Sequence, residues 1–244
     1  MEKETLNNDS SLIKGISGPV GRRKFFFYGA TALTTAAILS SCKKDEPAQT
    51  VTPPATNSDT VDLGSGDPGI LNYAYALEQL EAAFYLYAAA NPYSGISSAE
   101  QAILNDIRDH EVIHRDFFKT ALTAAGATPI KGLNVDFSKI NFSSRDSVLG
   151  TAMAFEDLGV SAYNGAGKLL KSADYLLIAG KIVSVEARHA STIRDLLKPK
   201  TAYFAGNDAV TTDNGLDGAR MPSEVLAIAQ GFVKTTITFS NLPK

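Results

Sequence analysis

With a single cysteine, Cys42, in 244 residues, the chain can form no intrachain disulfide and no thiolate cluster. Basic residues form no block beyond the first 42 positions, so nothing in the charge pattern supports a nucleic-acid partner. There is no glycine-rich phosphate loop, and no Ser, His and Asp are spaced for nucleophilic catalysis. The uncharged run from Phe25 to Ser41 is short for a membrane span and rich in Ala, Thr and Ser. Only three histidines occur. What is present, 44% hydrophobic and 20% charged residues, is enough for one substantial domain with appendages.

The first 42 residues read as a targeting segment rather than part of that domain. Arg22-Arg23-Lys24 precedes the apolar run, which ends in Leu39-Ser40-Ser41-Cys42. A basic pair, an apolar stretch and small residues before a cut point make a secretory signal. Arg22 and Arg23 followed by Phe resemble a twin-arginine signal, and the last four residues a lipobox in which Cys42 is lipidated. The expectation is an exported cell-envelope lipoprotein, held to a membrane through Cys42. Removal of residues 1–41 leaves 18 basic and 23 acidic residues, a formal charge of −5. Residues 43–66 are Thr, Pro, Asp, Ser and Gly rich, the composition of a flexible tether.

The folded part is expected from residue 67. Asp67-Pro68 is a helix start, with Asp67 as cap, and that helix runs to about Ala90. Ser97 and Glu100 form a capping box for a second helix ending near Gly126. A third helix runs from about Ser144 to Lys171, and a fourth from Ala173 to Leu197. Residues 127–143 read as irregular. At ~3.3 Å per residue they reach roughly 56 Å, more than the about 30 Å of a 20-residue helix. Four long helices with one such crossover make an all-α, ferritin-like four-helix bundle over residues 67–198. Residues 199–244 then form a loop and a short helix, "MPSEVLAIAQGFV", packing on the bundle. "TTITFS" is either a short strand or an extended tail.

The second helix has an apolar stripe at Ile103, Ile107, Phe118 and Leu122, yet the stripe passes through Glu111 and His114. The fourth repeats it, with Ile182, Glu186, His189, Ile193 and Leu197. The first and third helices match each other too: Glu78 is followed seven residues on by Tyr85, and Glu156 by Tyr163. Seven residues is about two turns, so each pair shares a helix face. The chain is thus two copies of one hairpin. Glu81, one turn from Glu78, has Gly159 as its counterpart, so Glu78 is the expected ligand and Glu81 a supporting or alternative one.

Burying one unpaired carboxylate costs several kcal/mol, and four would exceed a domain's usual stability of roughly 5–15 kcal/mol. No lysine or arginine falls on the inner stripes. Two divalent cations balance four glutamates, and one Glu from each of two helices plus Glu-x-x-His from each of the others is the dinuclear carboxylate pattern. The expected ligands are Glu78, Glu111, His114, Glu156, Glu186 and His189. His110 lies outside the pattern and is expected at the surface or behind the ligands. Tyr85 and Tyr163 are expected to pack, or to hydrogen-bond close to the site, with a redox role as the lesser alternative.

"LEQLEAAFY", "HEVIHRDFF", "FEDLGVSAY" and "EARHASTIRDLL" resemble the ferritin-like superfamily, and more narrowly the exported ferritin-like proteins grouped with desiccation-related proteins. The resemblance covers about residues 69–198 and implies the same six ligands. It implies two metal ions, iron first, with manganese or zinc as alternatives. It also implies an oxidoreductase acting on Fe(II), oxygen or peroxide. A non-catalytic stress-binding protein and a manganese catalase are the other readings it allows. A lipid anchor and a long tether argue against a closed storage cage, and the lack of rubredoxin-type cysteines removes the usual electron donor of a rubrerythrin-like peroxidase.

Overall fold

The computed structural model describes residues 59–244. Arg22, Arg23 and Cys42 lie outside them. In chain order the elements are β1 (Thr60–Asp62), α1 (Gly66–Ala90), α2 (Ser98–Ala124), α3 (Arg145–Gly167), α4 (Ala173–Leu197), α5 (Pro222–Ala229) and β2 (Thr236–Thr238). Short 3-10 turns occupy Ala202–Ala205 and Gln230–Phe232. The long helices form two hairpins, α1 along α2 and α3 along α4, as the all-α bundle reading requires. None of the helices in the described residues is long and apolar enough to cross a membrane.

Local chemistry sets most helix ends. Ser97 and Glu100 form the capping box of α2, with the Ser97 hydroxyl accepting from the Glu100 N–H at 3.1 Å. Glu100 also accepts from Arg145, which in turn donates to the Leu196 carbonyl at 2.7 Å. One carboxylate therefore ties the start of α2 to the start of α3 and the end of α4. Asp67 behaves differently from expectation. It sits inside the first turn of α1, after Ser65 at the cap, and accepts from the N–H groups of Lys171 and Ser172, both at 2.8 Å. These bonds hold the turn before α4. The same turn ends α3 at Gly167 rather than at Lys171.

The crossover of residues 127–143 runs the length of α1. The Asn72 side chain accepts from the Ile130 N–H at 3.0 Å, the Gln79 side chain accepts from Leu133 at 2.9 Å, and the Ser143 carbonyl accepts from Ser94 at 3.4 Å. With the crossover on one side and the other helices around it, α1 is buried on nearly all sides, unlike α2, whose buried residues form a stripe. Phe84, Phe155 and Phe232 stack edge-on in sequence, joining the bundle core to the segment after α5.

Residues 59–66, expected as the end of the tether, belong to the fold. β1 pairs in parallel with β2, Val61 opposite Ile237, and Asp59 pairs with Lys131 at 2.7 Å. A three-residue strand carries little signal of its own, because its partner lies at the far end of the chain. "TTITFS" is accordingly a strand at Thr236–Thr238. Gly165 permits another close contact: a Cβ there would stand 1.8 Å from the Arg220 carbonyl oxygen. The segment before α5 lies directly on α3 at this point, and Arg220 N–H donates to the Ser161 carbonyl at 2.9 Å.

Candidate metal centre

The four glutamates on the inner stripes are all fully buried, and His189 is 4% exposed. Helical periodicity aims them inward: on α2, Ile107, Glu111, Phe118 and Leu122 are buried together. On α4, Ile182, Glu186, His189 and Ile193 are buried in the same way. Apolar residues flank these groups on each stripe and shut the glutamates off from the surface.

Two groups of potential ligands result. Glu78, Glu111, His114 and Glu186 form one; Glu111, Glu156, Glu186 and His189 form the other. Within each, one ligand atom per residue lies within 4.8 Å of the rest. His114 Nδ1 is 2.9 Å from Glu186 Oε1, 3.6 Å from Glu78 Oε2 and 3.8 Å from Glu111 Oε2. His189 Nδ1 is 2.9 Å from Glu111 Oε1, 3.3 Å from Glu186 Oε2 and 3.4 Å from Glu156 Oε2. Glu111 and Glu186 therefore present one oxygen to each group, whereas Glu78 and Glu156 each serve one.

The directions of these atoms are as informative as their distances. Both oxygens of Glu111 and of Glu186, Oε2 of Glu78 and of Glu156, and Nδ1 of both histidines are buried without a hydrogen-bond partner of acceptable geometry. Orphaned buried polar atoms are rare because each costs about 1–3 kcal/mol. Eight in one cluster, four around each of two positions, are the donor set that two cations need. The residues present thus fit a metal pair, and these buried Glu and His groups can hold one.

The outer oxygens are satisfied across the bundle. Tyr85 on α1 donates to Glu156 Oε1 on α3 at 2.5 Å, and Tyr163 on α3 donates to Glu78 Oε1 on α1. Each tyrosine thus supports the glutamate of the other helix, not the one on its own face. Burial and the adjacent glutamates push both phenols well above their ordinary range, so both remain proton donors.

Protons take over the charge balance where no cation does. Burial drives Glu78 well above the usual carboxylate range, against the pull of His114. Burial likewise takes Glu156 up to about 8, although His189 opposes the shift. Glu111 goes the other way, to about 2, because His114 and His189 together overcome its burial. Burial would lower both imidazoles, yet the surrounding carboxylates win and push each up to about 12.

Glu81 is 4% exposed and belongs to neither ligand group. Burial and the four neighbouring glutamates raise its carboxyl well above the usual range. Its Oε1 lies 2.9 Å from where a Cβ of residue 159 would stand, so glycine there leaves the space that Glu81 fills. His110 is exposed, and its Nδ1 lies 2.9 Å from His189 Nε2. Sequence reasoning missed Arg194, 2% exposed and one position past Ile193. Its N–H groups are taken up by Asp157, Asp208 and the Tyr203 carbonyl, so it faces away from the ligands. A buried arginine next to a stripe, in a chain with spare aspartates, was the available signal.

A family model for the ferritin-like domain matches residues 66–199, more than half of the chain. A search of curated proteins returns no match. The matched span covers all four long helices and every residue of the two ligand groups. The chain belongs to the ferritin-like domain family.

Proposed function

We propose that Glu78, Glu111, His114, Glu156, Glu186 and His189 bind two metal ions, iron first, and that the protein is an envelope oxidoreductase acting on Fe(II) with oxygen or peroxide. The observation that carries this reading is the cluster of eight buried, unpartnered ligand atoms arranged four and four. Two divalent ions carry the charge that four ionised glutamates require. Glu111 and Glu186 would each offer one oxygen to either ion, Glu78 and Glu156 would each serve one, and each imidazole would add a nitrogen. Tyr85 and Tyr163 orient the two terminal carboxylates by holding their outer oxygens. Carboxylate and imidazole donors suit iron or manganese, and also accept zinc. Bound iron supplies the one-electron chemistry by which oxygen or peroxide is reduced.

Export completes the reading. Arg22 and Arg23 would direct the folded, metal-loaded domain through the twin-arginine route, and Cys42 would anchor it to a membrane by lipid. Replacing both arginines by lysine should then abolish export; unchanged export would remove this part of the reading. For the centre itself, the test is metal content of the exported protein by mass spectrometry. About two iron or manganese ions per chain are expected from the paired donor sets. A Glu111→Ala/Glu186→Ala double variant should lose them while keeping its helical content. A folded wild-type protein that takes up neither ion would instead favour a non-catalytic binding role.

A further inference from the structure

The two halves of the centre are close copies, apart from Glu81 facing Gly159 and one difference that reaches a ligand. Each has a terminal glutamate held by a tyrosine from the opposite helix, and each shares the oxygens of Glu111 and Glu186. Behind the two imidazoles the copies differ. His189 Nε2 lies 2.9 Å from His110 Nδ1, and the two rings are nearly parallel, with centroids 5.1 Å apart and planes 10° apart. His114 makes no such bond through its Nε2 with any of the described residues. The internal repeat explains the asymmetry. Glu111 corresponds to Glu186, so His110 corresponds to Val185, which has no group to offer.

The tautomers follow from the geometry. A ligand imidazole presents a bare Nδ1 to a metal, which leaves its proton on Nε2. With a metal on its Nδ1, His189 would therefore donate from Nε2 to His110 Nδ1, which accepts. Such a bond fixes the ring of a ligand and raises its basicity, and loss of one typically costs 10–100-fold in metal affinity.

We propose that His110 is a positioning residue for His189 and that it makes the two metal positions unequal, with the Glu156/His189 position filling first and the Glu78/His114 position second. The inference rests on the two-metal reading above. Nothing else among the ligands and their hydrogen bonds distinguishes the two positions, because the tyrosine supports and bridging oxygens are matched.

Anaerobic titration of the full chain with Co(II), followed by absorbance and equilibrium dialysis, tests it. Wild type should bind in two resolved steps, at least about tenfold apart. His189→Ala should remove the tighter step and His114→Ala the weaker. His110→Phe keeps a flat ring at an exposed position but accepts no hydrogen bond; it should weaken the tighter step about 10–100-fold and leave the other unchanged. His110→Gln, which retains an acceptor, should restore much of the separation. In the Zn(II)-loaded protein the His189 Nε2 proton should be slow to exchange by NMR in wild type, and fast in His110→Phe. Equal steps in wild type, or a His110→Phe variant that shifts both steps alike, would overturn the inference while sparing the metal pair. Failure of wild type to bind cobalt at all would overturn the metal pair and this inference together.

Discussion

Loading the centre with metal should expel protons, and the buried groups set how many. In the metal-free protein His114 and His189 are held protonated up to about 12, Glu156 up to about 8, and Glu78 well above the usual carboxylate range. Glu111 stays ionised down to about 2. Near pH 7 at least about three protons therefore sit where two divalent cations would carry the charge, on His114, His189 and Glu156, and both cations displace them as a set. Each displaced proton makes the overall binding constant rise about tenfold per pH unit, so the protons of His114, His189 and Glu156 alone should make the two-metal constant climb by about 10³ between pH 6 and pH 7. Above pH 8 Glu156 has already lost its proton, and the number released should fall by about one. The assay is calorimetric titration with Mn(II) in buffers of different ionisation enthalpy, where the slope of apparent heat against buffer enthalpy gives the proton count. Release of fewer than about two protons at pH 7, or an affinity indifferent to pH, would refute the reasoning. The same shift fixes a sign for the metal-free fold. Glu156 binds its proton more tightly folded than unfolded, so its contribution is full below the ordinary value of 4.5 and is lost as pH rises through about 8.

Two structural predictions accompany it. Tyr85→Phe removes the donor from the outer oxygen of Glu156 and leaves a buried acceptor unpaired; the metal-free protein should lose about 1–3 kcal/mol in chemical denaturation, and a loss below ~0.5 kcal/mol would mean the bond is not formed. Gly165→Ala would place a methyl group 1.8 Å from the Arg220 carbonyl oxygen, so the segment before α5 must move off α3, at a cost of about 1–3 kcal/mol. Thermal melting checks it, and an unchanged Tm would show that this segment is free to shift.

The bundle was legible because helical periodicity is a local property. Apolar residues at steps of three and four mark which face is buried, whatever it packs against. Glu111 and His114 stood out for the same reason, as polar groups on such a face, and the repetition at Glu186 and His189 made the pattern specific. Capping residues such as Ser97 and Glu100 likewise act within one turn. The parts that could not be read are those in which the partner lies elsewhere in the chain. Asp67 looks like the cap of its own helix, yet it accepts from Lys171 and Ser172, because the two hairpins bring that turn to it. Tyr85 and Tyr163 share a face with Glu78 and Glu156 in sequence, but support the opposite glutamates in space. Thr60–Asp62 is a strand only because Thr236–Thr238 lies beside it. The amino-acid sequence alone determined the four helices, their buried faces and the residue types gathered there. Tertiary structure alone decided which oxygens are shared, which tyrosine holds which carboxylate, and that only one ligand histidine has His110 behind it, since all three depend on how two distant hairpins meet.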